Sequence, residues 1–122
     1  MTLLGLLLAG ACGALMRYGV ELHVRRRRGP SFPFGTLLIN VSGSFALGLL
    51  VGLAEHHGAR AGVVTVLGTG LLGSYTTFST FTYDTLGMAR HGRTGAAMAN
   101  VGVSVAMALG AAALGLAVGH LG

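Results

Sequence analysis

Four long apolar stretches run along the chain and are separated by short polar connections. The stretches cover residues 3–22, 34–54, 61–89 and 95–118. A helix that spans a bilayer needs roughly 20 mainly apolar residues, so the pattern predicts four transmembrane helices in an all-α integral membrane protein. A soluble domain does not fit into the connections, which cover residues 23–33, 55–60 and 90–94. We therefore expect residues 1–122 to form a single four-helix unit.

The third stretch departs from a plain span in its middle. Residues 73–82 read Gly-Ser-Tyr-Thr-Thr-Phe-Ser-Thr-Phe-Thr, which places six Ser and Thr residues and one tyrosine at membrane depth. Hydroxyl and β-branched side chains weaken a helix locally. Non-helical backbone within a membrane is tolerated only where protein or a water-filled path surrounds it. The pattern therefore predicts that the third helix is broken in mid-membrane.

Composition supports the assignment to the membrane. Hydrophobic residues make up 52% of the chain and charged residues only 9%, whereas a soluble domain carries about 25% charged residues. The 22 glycines suit close packing of helices in lipid. Small residues at four-residue spacing form two candidate packing seams, which consist of Ser44, Gly48 and Gly52 and of Gly115 and Gly119.

The eight basic residues are all arginines, and their distribution predicts orientation. Residues 25–28, Arg90 and Arg93 fall in the first and third connections, which share one side of a four-span protein, whereas the second connection holds only Arg60. The positive-inside rule then places both termini outside. The net charge of +5 also raises the question of nucleic acid. Because the charges lie at span ends, where topology signals belong, we predict no nucleic-acid partner.

Several polar side chains fall within the predicted spans, where such groups are expensive and usually functional. Thr36 and Asn40 lie four residues apart on one face of the second span, and Asn100 and Ser104 do so on the last. Asn40 fits either a hydrogen bond between helices or a donor lining an ion path. Arg17, near the end of the first span, fits either snorkelling to the interface or a place at the mouth of an anion path.

Two phenylalanines, Phe78 and Phe81, lie three residues apart beside the polar run. They fit ordinary packing or lipid-facing aromatics. Their hydroxyl-rich neighbours favour a second interpretation, since the positive edge of an aromatic ring can face an anion. A path for an anion needs donors that do not trap the ion, because conduction requires binding weak enough to leave.

Catalysis finds no support in the sequence, and we predict that the chain is not an enzyme. The only acids are Glu21, Glu55 and Asp84, and they are far apart in sequence. A nucleophile, base and orienting group cannot be assembled from these residues. Residues 68–73 match a dinucleotide-binding fingerprint, Gly-Thr-Gly-Leu-Leu-Gly. The motif lacks the βαβ context and the following acid that it requires.

Three segments together resemble the Fluc (CrcB) family of fluoride-specific ion channels. They are Gly-Ala-Leu-Met-Arg-Tyr at residues 13–18, Gly-Thr-Leu-Leu-Ile-Asn-Val-Ser-Gly-Ser-Phe at 35–45, and Gly-Ser-Tyr-Thr-Thr-Phe-Ser-Thr-Phe at 73–81. With four spans in about the family's length, the likeness covers essentially the whole chain. It implies an antiparallel dimer with two pores in the plasma membrane of a bacterium. Such a channel lets fluoride that accumulates in the cytoplasm leak out passively.

The resemblance also implies roles for individual residues. The fluoride path would be lined by the polar residues Asn40, Thr36, Ser79, Thr80 and Ser104, with Arg17 near its entrance. Phe78 and Phe81 would present ring edges to the anion. Gly73 and Thr76 would offer backbone carbonyls to a structural sodium ion (Na+) at the dimer interface, which suits free carbonyls at a broken helix. Many members carry a tyrosine on the last helix at the position of Asn100.

The arginine distribution leaves the identity of the second subunit open. An antiparallel homodimer requires one sequence to insert in both orientations, which a weak charge bias allows. Six arginines lie in the connections on one side of the membrane and only one lies on the other side, so the charge bias here is strong. We therefore hypothesise that this subunit inserts one way and pairs with an oppositely oriented homologous subunit. A homodimer also fits the motifs.

Two other functions compete with the channel. A small multidrug-type proton-coupled exporter would need a carboxylate within the first span, where the only acid is Glu21 at its end. A membrane scaffold without transport activity would leave the polar run and Asn40 unexplained.

Overall fold

The computed structural model describes residues 1–121, and in them four helical segments are long and apolar enough to cross a membrane. These are α1 (Thr2–Arg28), α2 (Phe34–His57), a composite third segment (Ala61–Arg90) and α6 (Thr94–Leu121). The predicted all-helical, four-span architecture is therefore confirmed. Most leucine side chains of α1 and α6 are exposed, as expected where the surrounding solvent is lipid.

The first helix is longer than its apolar stretch. We predicted an end at residue 22, but α1 continues through the four arginines to Arg28. Arginine is a good helix former, and its positive charge is favourable at the C-terminal end of a helix dipole. Gly29, with φ 74°, then ends the helix and donates its N–H to the carbonyl of Arg25.

The third segment consists of several short pieces. It begins as α3 (Ala61–Val64), widens into a π-helix (Thr65–Leu72), and returns to α-helix in α4 (Gly73–Tyr75). Thr76 is extended, with φ −78° and ψ 159°, and the helix resumes as α5 (Ser79–Arg90). The helical hydrogen-bond ladder is thus interrupted at residues 76–78.

The closest helix pair is α2 with α6, and glycines make that approach possible. A side chain at Gly48 would collide with the backbone carbonyl of Ala112, and one at Gly115 would collide with that of Phe45. Gly52 and Gly119 extend this contact by one further turn on each helix. The predicted seams on these two helices are therefore confirmed at their four glycines, which pack against the opposite helix, whereas nothing tests the place of Ser44 in the seam.

The wide π-helical turn packs against α1 through another pair of glycines. Gly13 lies against the carbonyl of Leu71, and Gly70 lies against Ala9 and Leu6. A π-helix offsets the side chains that follow it relative to an α-helix. The third segment therefore approaches α1 closely before its interruption and packs against α6 after it.

Candidate functional site

The interruption of the third segment is bound to α2 by one side chain. The Asn40 amide nitrogen donates to the Thr77 carbonyl at 2.8 Å, and the Thr77 N–H donates to Asn40 Oδ1 at 2.9 Å. In a continuous α-helix the Thr77 N–H would bond to the Gly73 carbonyl. Asn40 therefore provides hydrogen-bond partners for both backbone groups of Thr77, and the Thr77 N–H no longer bonds to the Gly73 carbonyl. Gly43, one turn further along α2, leaves room for the Thr76 methyl group.

The Thr77 side chain forms a hydrogen bond with the backbone of the first turn of α5. Its side chain is buried, and its hydroxyl oxygen accepts the backbone N–H of Thr80 at 3.1 Å. A hydroxyl that accepts such an N–H caps a helix start in the manner of Ser and Thr N-caps. The Thr77 hydroxyl also lies 3.4 Å from the hydroxyl of Ser79. We did not single out Thr77 from the sequence. The Glu or Gln that completes a capping box three residues after a threonine is absent, because that position is Thr80.

A cavity of about 380 Å³ lies beside the interruption and brings together six of the ten residues that the sequence suggested. Those that line it are Asn40, Gly73, Thr76, Phe78, Phe81 and Ser104. The Phe78 and Phe81 rings are 6.0 Å apart between centroids and tilted by 43°. The Phe78 side chain is 79% exposed, so it projects from the surface of the single chain.

A second cavity, of about 610 Å³, lies at the end of the molecule that carries the arginines. Thr36 and Thr80 line it together with four charged residues, Glu21, Arg25, Asp84 and Arg93. The Thr36 hydroxyl donates to Asp84 Oδ2 at 3.3 Å. Thr36 and Asn40 share one face of α2, so this face leads from the second cavity to the interruption. In the sequence Asp84 is an isolated acid, and its partnership with Thr36, 48 positions away, becomes visible only in the folded chain.

Asn100 connects α6 to α5. Its side chain is 1% exposed, and its amide nitrogen donates to the Thr85 hydroxyl at 2.8 Å. Thr85 in turn donates to the Phe81 carbonyl at 2.7 Å, and Ser104 donates to Asn100 Oδ1 at 3.3 Å. This chain of hydrogen bonds fixes the backbone of Phe81 relative to α6.

Two of the suggested residues lie apart from this group. Arg17 is half-exposed on α1 and lines neither of the two cavities. Ser79 is exposed and lines neither cavity, although its hydroxyl lies near Thr77. Within the described residues, acids, histidines and cysteines do not gather in a group of three that could hold a metal ion.

The fold and this site define a small multi-pass membrane protein whose third span is interrupted beside an amide, hydroxyls and two aromatic rings. The chain belongs to the CrcB family, because the family model described as CrcB-like protein, Camphor Resistance (CrcB), matches residues 4–116.

Curated relatives extend over nearly the whole chain. A protein of Acidobacterium capsulatum named "Fluoride-specific ion channel FluC" is 44% identical over 121 residues, which is 98% of this chain and 97% of that protein. Proteins of the same name from Rhizobium meliloti and Cereibacter sphaeroides are 44% and 42% identical. The alignments cover 88% and 95% of this chain and 87% and 92% of those relatives, respectively.

Proposed function

We propose that this protein is a fluoride-specific ion channel that lets cytoplasmic fluoride leave the cell passively and so lowers its toxicity. The observation that carries the proposal is the near-complete match to relatives named as fluoride-specific ion channels. The family consists of ion channels and not of enzymes. The proton-coupled exporter and the inert scaffold are not favoured by these relatives.

The fluoride path in this proposal follows one face of α2. The ion enters through the cavity lined by Thr36 and Thr80, and it passes Asn40 to reach the cavity lined by Phe78 and Phe81. Ser104 and Ser79 contribute hydroxyls along the way, and Arg17 attracts anions near the entrance. Hydroxyls, an amide and ring edges offer partial positive charge without a full cation, which suits an ion that must bind and leave.

The interruption at residues 76–78 lies at membrane depth in this proposal and carries the sodium site. The Thr77 N–H bonds to Asn40 in place of the Gly73 carbonyl, and the extended Thr76 turns its own carbonyl out of the helical direction. Carbonyl oxygens released in this way are ligands that suit a hard cation such as Na+. Gly73 and Thr76 would supply them at the interface between two subunits.

The second subunit of the proposed antiparallel dimer packs over the face from which Phe78 projects. Phe78 is 79% exposed beside a cavity that contains an amide and several hydroxyls, and this side of the cavity must be covered if an anion is to be separated from lipid. We propose that this cover is an oppositely oriented homologous subunit, either a second copy of this chain or a related chain. Two such subunits would form two pores.

Fluoride efflux from liposomes that contain only the purified protein, followed with a fluoride electrode, tests the function. We expect efflux in the wild type and its loss in Phe81→Ile, because isoleucine fills similar space without a polar ring edge. Such a result would also establish that the chain forms a channel by itself and would overturn the hypothesis of a heterodimer.

If the folded protein alone gives no efflux, a second experiment tests whether a partner subunit is missing. The chain is then co-expressed with a homologue whose connections carry the opposite charge bias, and the purified complex is reconstituted. Efflux from the complex alone would support the channel and a heterodimer. Absence of efflux from the complex as well would contradict the proposed function.

A further inference from the structure

A third cavity, of about 580 Å³, lies between the end of α1, the start of α2 and α6. Its inner wall is apolar and consists of Val24, Phe34, Leu37, Leu38, Val41 and Met107. Leu38 and Met107 are about half exposed, so the groove opens along the side of the molecule. From Phe34 to Val41 it follows α2 for about 10 Å along the helix axis.

The mouth of this groove is cationic. His23, Arg27 and Arg28 line it, and the four-residue spacing of His23 and Arg27 places these two on one face of α1. The Arg28 guanidinium lies over the Phe34 ring, 5.2 Å from its centroid. This cation–π contact holds Arg28 at the point where the apolar wall begins. The acids of the chain do not line this groove.

The groove is separate from the cavity beside the interruption, although it adjoins the entrance cavity of the proposed fluoride path, with which it shares Val24 and Phe34. Each residue advances about 100° around an α-helix, so Leu38 of the groove lies nearly opposite Asn40, which lines the cavity beside the interruption. The two cavities have no lining residue in common. Neighbouring Arg26 lines none of the three cavities, although it lies in the same arginine run.

We propose that this groove is a binding site for an acidic phospholipid. Its phosphodiester lies between Arg27 and Arg28, and one acyl chain lies along Leu37, Leu38 and Val41. The charge and the apolar wall together select this occupant, because a lipid offers an anion and a hydrocarbon chain in the required order from the interface inward. Arginine pairs well with phosphate oxygens through two parallel N–H donors, and basic pockets between membrane helices bind acidic headgroups. A lipid seated there bridges α1, α2 and α6.

Native mass spectrometry of the detergent-solubilised protein tests this site. The protein is titrated with phosphatidylglycerol and, in parallel, with phosphatidylcholine of the same chain length. We expect the wild type to prefer phosphatidylglycerol by at least about tenfold, since each arginine near an acidic headgroup contributes severalfold to affinity. The variant Arg27→Gln/Arg28→Gln should lose most of that preference.

A matched control separates a defined site from general attraction to a basic surface. Arg26→Gln/Arg90→Gln removes the same charge, and neither residue lines any of the three cavities. The control should keep the preference, and equal loss in both double variants would overturn the groove as the site. A further arm adds glycerol phosphate as competitor. If it displaces phosphatidylglycerol at comparable concentration, the apolar wall contributes nothing and the assignment to a lipid is wrong.

Discussion

Asn40 is the residue on which the local structure of the third segment depends most. Its amide forms both hydrogen bonds to the Thr77 backbone and so takes over bonds that a continuous helix would make within itself. From the sequence, the two candidate roles were contact between helices and lining of a path. The structure shows the first role, and the position of Asn40 in the cavity wall keeps the second as a proposal.

We predict that Asn40→Leu destabilises the protein. Leucine has similar size, but it leaves the Thr77 N–H and carbonyl without these partners. Each unsatisfied buried polar group costs about 1–3 kcal/mol. Thermal unfolding in detergent, followed by the loss of the monodisperse peak in size-exclusion chromatography, measures the effect. Ser44→Ala is the control, because Ser44 lines the same cavity but makes none of the side-chain hydrogen bonds found here. Equal stability of Asn40→Leu and the wild type would contradict the role of Asn40.

At the scale of helices, the seam between α2 and α6 is the main packing contact. It depends on backbone approaching backbone, since the carbonyls of Ala112 and Phe45 occupy the space that side chains at Gly48 and Gly115 would need. Lipid provides no hydrophobic force between helices, so close van der Waals contact must supply the stabilisation.

We predict that Gly48→Ala impairs folding while Gly110→Ala does not. An added methyl at Gly48 meets the Ala112 carbonyl, whereas one at Gly110 has no atom within 4 Å. Both substitutions raise intrinsic helix propensity by about 1 kcal/mol, so propensity cannot account for a difference between them. The yield of monodisperse protein and its thermal midpoint check the prediction. A stable Gly48→Ala protein would mean that the helices can separate without loss.

The interruption of the third segment carries a second prediction at this scale. If the Gly73 and Thr76 carbonyls bind sodium, replacement of Na+ by N-methyl-D-glucamine should lower the thermal midpoint and the fluoride efflux. Thr76→Ser should behave like the wild type in both measurements, because it keeps the backbone carbonyl and the hydroxyl that donates to Leu72. If neither the thermal midpoint nor the fluoride efflux changes when Na+ is replaced, the sodium site is contradicted.

The whole molecule is polarised by its arginines. The end that holds residues 25–28 also holds Arg90 and Arg93, whereas Arg60 is the only arginine of the opposite connection. That opposite end has an exposed contact between His120 Nε2 and Glu55 Oε2 at 3.0 Å. An orientation set by arginines at the ends of the spans is a property of the entire chain, and in the proposed antiparallel dimer it would decide which subunit can be the partner.

We predict that the chain inserts in one orientation, with both termini outside. A pair of C-terminal reporters, one active only in the cytoplasm and one active only outside, measures the populations. Replacement of Arg25, Arg26, Arg27 and Arg28 by glutamine should shift the chain toward a mixture, because the remaining charge bias is small. Equal populations of the two orientations in the wild type would contradict the hypothesis of a heterodimer and favour the homodimer.

Four spans, their approximate limits and the family were determined by the sequence alone. Apolar length is a local property, and a span of about 20 apolar residues has few alternatives in a bilayer. The motifs around Asn40 and Phe78 could also be recognised from the sequence, because each lies within one short continuous segment. The end of α1 was misplaced since the arginines were taken as a connection, although they are good helix formers at a favourable helix end.

Only the tertiary structure decided which polar groups meet. The partnerships of Asn40 with Thr77, Thr36 with Asp84 and Asn100 with Thr85 join residues on different helices. Sequence spacing predicts which residues share a face of one helix, but it does not state how neighbouring helices are rotated and shifted. That arrangement is set by the close contacts of Gly48, Gly115 and Gly13, which depend on the backbone of a second helix. The cationic groove likewise arises only where the end of α1 meets α2 and α6.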